Sequence, residues 1–162
     1  LIKNKREDLE KTAIEVQELK RQYELSEKEP VLISHGKANF YRLAKEQKDT
    51  KKYVYNIKYT AELKPEWIRS LKENLKKGVD VKELVRYDKE TEKNVLEWIK
   101  KTKSEWRIIE NNGIALSLKD DEEVLISLIK SNTTMLIRDK SFAKLMKKMF
   151  LATWKESEQI KK

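Results

Sequence analysis

LKENLKKGVDVKELV, residues 71–85, is the stretch that decides the fold. Leu71 and Leu75 lie one turn apart with charged residues around them, which reads as one side of an amphipathic helix. Gly78 stops that helix, as a residue in the left-handed region at a helix C-terminus does. Val79, Val81, Leu84 and Val85 then read as an apolar strand. A helix that runs through a glycine straight into a strand belongs to an alternating α/β chain.

Working upstream, Pro65 suits the first turn of the same helix, and Trp67 and Ile68 extend its buried face. Lys52–Lys58 (KYVYNIK) alternates and is rich in β-branched and aromatic residues, so it reads as a strand. Phe40, Leu43 and Ala44 mark a helix after Gly36, and Val31-Leu32-Ile33 a short strand before it. Residues 1 to about 27 contain neither Gly nor Pro. Ile2, Leu9, Val16 and Tyr23 recur there every seven residues, flanked by Ala13 and Leu19. Such a stripe buries best against a second helix, which predicts a coiled coil; the alternative is an amphipathic helix packed on its own domain. Glu29-Pro30 ends it.

Working downstream, Asp88 is placed to cap a helix carrying Val95, Leu96, Trp98 and Ile99. Trp106–Ile109 reads as a strand, and Asn112-Gly113 as a hairpin turn. Ile114, Leu116 and Leu118 alternate along the next strand, which ends at the turn Asp120-Asp121-Glu122. Val124–Ile129 and Thr134–Arg138 are two more strands. A last helix spans about Lys140 to Glu158, with Phe142, Leu145, Met146, Met149, Phe150 and Trp154 as its expected buried stripe. The fold class is therefore α/β. An N-terminal dimerisation helix, residues 1–28, precedes a mixed-sheet α/β domain, residues 31–162.

Composition narrows the function. The chain has 162 residues, 37 Lys and Arg against 28 Asp and Glu, and a net charge of +9. That balance suits nucleic acid or another anionic surface, or else lysines that only solubilise the fold. With no cysteine, disulfides, thiolate metal sites and cysteine nucleophiles are excluded. No apolar run is long enough to span a membrane and no signal peptide is visible, so no membrane partner and a cytoplasmic location are expected. The chain starts at Leu1 inside a helical pattern, which predicts a further segment before it. No cofactor is expected: Gly36 and Gly78 are isolated, so there is no glycine-rich phosphate loop. The four consecutive acids Asp120 to Glu123 read as a solvated turn and not as a cation loop. Lys51-Lys52-Tyr53 and the lysine-rich last helix interleave bases with aromatics, a pattern open to nucleic-acid contact or to ordinary surface.

The element around Gly78-Val79 resembles the corresponding element of phospholipase-D-like domains. The order of elements, with the late hairpin, the Trp154 helix and the leading coiled coil, resembles the effector and dimerisation region of TrmB-like archaeal transcription regulators over nearly the whole chain. Catalytic phospholipase-D-like enzymes carry His-x-Lys-x4-Asp on a late strand, the histidine as nucleophile and the lysine as charge clamp. The matching strand here is GIALSLKD. Asp120 matches the acid, but Gly113 stands in the histidine position and Ala115 in the lysine position, so the resemblance implies a non-catalytic domain. The other His-x-Lys spacing, His35-Gly36-Lys37, puts Arg42 where the acid belongs.

The resemblance further implies a homodimer held by Ile2, Leu9, Val16, Leu19 and Tyr23. DNA would be read by a winged helix preceding Leu1. A small effector such as a sugar is implied for the domain, although the C-terminal β domain that completes the sugar site in long members is not in this sequence. Ser34, His35, Lys58, Tyr59, Arg86 and Asn112, at strand ends and turns, are the candidate ligand contacts. The alternatives are a basic DNA-binding or chromatin-associated protein and a phospholipase-D-type nuclease.

Overall fold

Leu71, Leu84 and Val85 are buried, at 6%, 0% and 0% exposure, so the joint read from residues 71–85 lies inside the core. A computed structural model describes residues 2–28 and 30–161, with the side chains of residues 22–28 and 37–39 left aside. The elements are α1 (Ile2–Lys28), β1 (Val31–His35), α2 (Lys37–Glu46), β2 (Tyr53–Lys58), α3 (Pro65–Lys76), β3 (Asp80–Val85), α4 (Glu92–Thr102), β4 (Trp106–Ile108), β5 (Ile114–Lys119), β6 (Glu123–Leu128), β7 (Thr133–Ile137) and α5 (Lys140–Glu156). Gly78 has φ +76. Its N–H donates to the carbonyl of Leu75 and that of Val79 to Asn74, the paired closure of a Schellman motif.

The strands form one mixed sheet in the order β1-β7-β6-β5-β2-β3-β4. β2, β3 and β4 are parallel, whereas β5 to β7 and β1 are antiparallel to their neighbours. One outer edge is sealed. The N–H of Ile108 donates to the Glu158 carbonyl and that of Ile160 to the Trp106 carbonyl, laying the C-terminal tail along β4.

Period-2 alternation divides the side chains between two faces. On one, Tyr53, Tyr55, Leu84, Leu116, Leu118 and Val124 pack under Ala143, Phe150 and Trp154 of α5. On the other, two apolar clusters stand apart. Leu125 and Leu136 lie with Leu43 of α2. Val85 and Trp106 lie with Ile68 and Leu71 of α3 and Val95, Trp98 and Ile99 of α4.

Three expectations are corrected, and one alternative is set aside. Asn112-Gly113 does not turn a hairpin: it links β4 to β5, which lie on opposite sides of the β2–β3 pair. A two-residue turn signal was outweighed by the demand that β4 lie parallel to β3. Asp88 does not cap α4 directly. Its carboxylate accepts from the N–H groups of Glu90 and Thr91, one turn before the helix begins. In α5, Leu145 and Met149 are 55% and 57% exposed. The buried arc is narrower than the apolar spacing suggested, because the helix lies on a flat sheet. Finally, α1 does not bury its stripe on its own domain: Ile2, Leu9, Val16 and Leu19 are 87%, 71%, 57% and 65% exposed. The side chain of Tyr23 lies outside those described.

Candidate functional site

By the phospholipase-D-like resemblance, the segment to compare with a catalytic motif is β5 with its flanking residues, and three positions matter there: Gly113, Ala115 and Asp120. Gly113 has φ +130, a left-handed-side conformation that a side chain rarely adopts, and a Cβ there would stand 3.4 Å from Lys130 Cγ. Asn111 Oδ1 accepts from the N–H groups of Gly113 and Ile114 at 3.0 and 2.8 Å. Position 113 is thus a turn held by hydrogen bonds, and its positive φ, rather than any lack of space, disfavours a side chain such as an imidazole. Ala115 presents only a methyl group to the cavity described below.

Asp120 has a structural role instead. Its carboxylate accepts from the backbone N–H groups of Lys51, Lys52 and Tyr53 at 2.7, 2.7 and 3.0 Å. The end of β5 is thereby latched to the start of β2. Burial alone would push this carboxyl up; the three N–H groups and Lys119 more than offset that and hold it below the usual range. Asp120 and Asp121 both have φ +55, the pair of left-handed residues that a type I′ hairpin turn needs. The Tyr53 hydroxyl donates to Asp121 Oδ1 and accepts from the Asp121 N–H, which closes the same corner.

Between the two apolar clusters of the helix-covered face lies a cleft of about 730 Å³ over β2, β5 and β6. Polar side chains stand on its floor, Asn56, Lys58, Glu83, Ser117, Ser127 and Thr134, beside apolar Val54, Ala115 and Leu125. Phe40 and Tyr41 of α2 meet Trp67 of α3 across its mouth, with ring centroids 6.1 and 5.7 Å apart. Glu83 is 2% exposed. Asn56 Nδ2 donates to its Oε1 at 2.9 Å, but Oε2 accepts no hydrogen bond among the described residues. Lys58 Nζ stands 4.0 Å from that oxygen and 5.0 Å from the Trp98 ring centre. It balances the charge without bonding to it. Burial pushes the Glu83 carboxyl up, against the pull of Lys58 and Asn56.

The six ligand candidates read from the sequence fall in three places. Lys58 and Tyr59 line the cleft. Tyr59, Arg86 and Asn112 line a smaller hollow of about 400 Å³ at the C-terminal ends of the parallel strands. There Arg86 is held by the Tyr59 carbonyl at 3.0 Å and Glu90 at 3.1 Å, over the Tyr59 ring. Ser34 and His35 lie on edge strand β1, outside both. Ser34 accepts from Arg42, and His35 Nδ1 is 3.3 Å from Thr133 Oγ1. The floor residues Asn56, Glu83, Ser117, Ser127 and Thr134 were not singled out in the sequence. Their signal was the alternation itself, which puts Ala115, Ser117 and Lys119 opposite Ile114, Leu116 and Leu118. Among the described residues, no three His, Cys, Asp or Glu side chains converge to hold a metal ion.

No protein-family profile matches the sequence, and no curated protein matches it significantly. Solved structures do. TrmBL2, an archaeal chromatin protein described with a novel mode of DNA binding, superposes with a TM-score of 0.64 at 20% identity, over 98% of this chain and 65% of that one. The chain thus spans just under two thirds of that protein. The phospholipase D family member Nuc from Salmonella typhimurium gives 0.61 at 16% identity, over 82% of this chain and 98% of its own. NucT from Helicobacter pylori gives 0.62 at 9% identity, over 80% and 98%. The fold is phospholipase-D-like α/β.

Two measurements check the site. Asp120→Ala removes three backbone contacts and should destabilise the fold by about 2 kcal/mol in urea denaturation. Glu83 has a folded pKa above its ordinary 4.5, so folding takes up a proton. Its contribution is complete below 4.5 and is lost as pH rises through the raised value. Asp120, held low, acts in the opposite sense and at lower pH. Stability should therefore fall as pH rises above 4.5, and Glu83→Gln should flatten that fall.

Proposed function

We propose that this chain is the dimerising, non-catalytic part of a DNA-associated protein of TrmB-like type, in which two copies pair through α1. The observation that carries this reading is the solvent-exposed seven-residue stripe of α1, joined directly to a phospholipase-D-like domain. A helix of this length with Ile2, Leu9, Val16 and Leu19 in solvent leaves its apolar side unburied within one copy, and a second α1 covers it most simply. The likeness to TrmBL2 spans 98% of the chain and so takes in α1. The two nuclease likenesses span 82% and 80%, a share that residues from β1 onward would fill by themselves.

The non-catalytic half of the reading rests on Gly113 and Ala115. Neither supplies a nucleophile or a cation, and Asp120 is occupied as a latch. In this reading, a winged helix in a preceding segment reads DNA, and pairing through α1 sets two reading heads a fixed distance apart. The basic composition also favours a chromatin-type role, in which the same dimer coats DNA without choosing a sequence. The cleft over β2 and β5 is where a small effector would act, by fitting one arrangement of the dimer better than another. Among the described residues, no helix is long and apolar enough to cross a membrane.

Sedimentation equilibrium tests the pairing. The chain should sediment as a dimer, and Leu9→Glu with Val16→Glu should weaken association by at least a hundredfold, about 3 kcal/mol, while leaving the thermal melt of the α/β domain in place. A monomer at every concentration would rule the pairing out.

A further inference from the structure

Helix α5 carries lysine at positions 140, 144, 147, 148 and 155. At 3.6 residues per turn these fall on one stripe about 100° wide and about 22 Å long. Lys147 is tied to Asp121 at 3.5 Å. Lys140, Lys144, Lys148 and Lys155 are exposed, and none has an ion-pair partner within the described residues. From Lys140 to Lys155 the helix contains no acid. Other helices are built differently: α1 pairs Arg6 with Glu10 and Arg21 with Glu18, and α4 pairs Lys101 with Glu97.

The placement also works against the helix. Lys140 opens it, where the peptide dipoles leave positive charge; Asp139 caps that end, but the first turn itself has no acid. Lys140, Lys144 and Lys148 follow one another at i, i+4, where like charges repel. The helix holds because Ala143, Phe150 and Trp154 anchor its other side. A stripe that weakens its own helix, and whose Lys140, Lys144, Lys148 and Lys155 meet no acid among the described residues, is complementary to an external polyanion. Its exposed surface has no aromatic ring: Phe142 is half-buried and Phe150 and Trp154 are buried. Base stacking is therefore not what it offers, and contact with an ordered phosphate backbone is.

We infer that the lysine stripe of α5 lies against the backbone of duplex DNA, giving this chain a sequence-independent DNA contact of its own, separate from any winged helix. The inference rests on the DNA-associated reading above and adds the surface that makes the contact. Lys140, Lys144 and Lys148 each neutralise a phosphate, and each displaces counterions from the duplex.

Fluorescence anisotropy of a short labelled duplex, titrated with the whole chain at several salt concentrations, tests this. Each phosphate contact adds about 0.9 to the slope of log affinity against log salt. K140Q/K144Q/K148Q should therefore lower the slope by about 2.7, equally on two unrelated sequences. K72Q/K76Q/K77Q, which removes the same charge from exposed sites on and just after α3, should leave the slope nearly unchanged. Melting curves verify that both variants fold. Equal losses from the two triples would overturn the stripe in favour of net charge alone. Duplex binding that ignores the α5 triple would overturn it while leaving the DNA-associated reading standing. Failure of the parent chain to bind duplex would overturn it too, with the dimer still judged by sedimentation. Tighter binding of single-stranded than of duplex DNA would overturn the choice of ligand.

Discussion

Strand β2 lies parallel to β3 on one side and antiparallel to β5 on the other, and the rest of the molecule is arranged around that junction. Parallel strands need crossover helices, and right-handed crossovers place α3 and α4 on one face of β2, β3 and β4. The antiparallel half needs only turns between β5, β6 and β7, so no helix is delivered over its centre. Helix α2 covers the far end of the same face, over Leu125 and Leu136. What remains is an uncovered band over β2, β5 and β6, and the cleft occupies it. The polar part of the floor follows: side chains there meet neither α2 nor α3 fully, so Asn56, Ser117 and Ser127 can stay polar. The latch of Asp120 onto the N–H groups of Lys51, Lys52 and Tyr53 fixes the register of this junction.

Much of this was legible in residues 71–85 and their neighbours. The α3–Gly78–β3 joint, Pro65 at the helix start, the turn at Asp120-Asp121 and the late antiparallel strands all follow from local chemistry, and the structure has them. The pairing partners were not legible. Asn112-Gly113 carries a hairpin signal, but which strand lies beside which is decided by crossover geometry many residues away. The cleft was half-legible. Alternation in IALSLK separates Ala115, Ser117 and Lys119 from the core side, yet nothing local says whether the second face meets water or helices. Glu83 was hidden for a similar reason: within DVKELV it looks like an outward charge, and only the packing of α3 and α4 buries it.

At β5 and its two flanking residues, Gly113, Ala115 and Asp120 stand where the resemblance to phospholipase-D-like enzymes would place a histidine, a lysine and an aspartate. At position 113 a glycine has a backbone conformation that disfavours any side chain, at 115 a methyl group opens the cleft floor, and at 120 the carboxylate holds backbone. The chemistry-bearing side chains that remain are spread over the cleft, the smaller hollow and β1. Features pointing outward, the α1 stripe and the α5 lysines, therefore weigh more in the functional reading than any internal site. Both are exposed, both leave a local energetic demand unmet within one copy, and each has a chemically simple way to meet it.

Pairing through α1 is the claim on which the functional reading stands, and an inter-copy distance measures it most directly. The chain has no cysteine, so Asp8→Cys and Arg21→Cys, one at a time, each accept a single spin label. Double electron–electron resonance should give one short, narrow distance between copies at each position, as expected for helix axes about 8–10 Å apart. Absence of any inter-copy signal at both positions would contradict it.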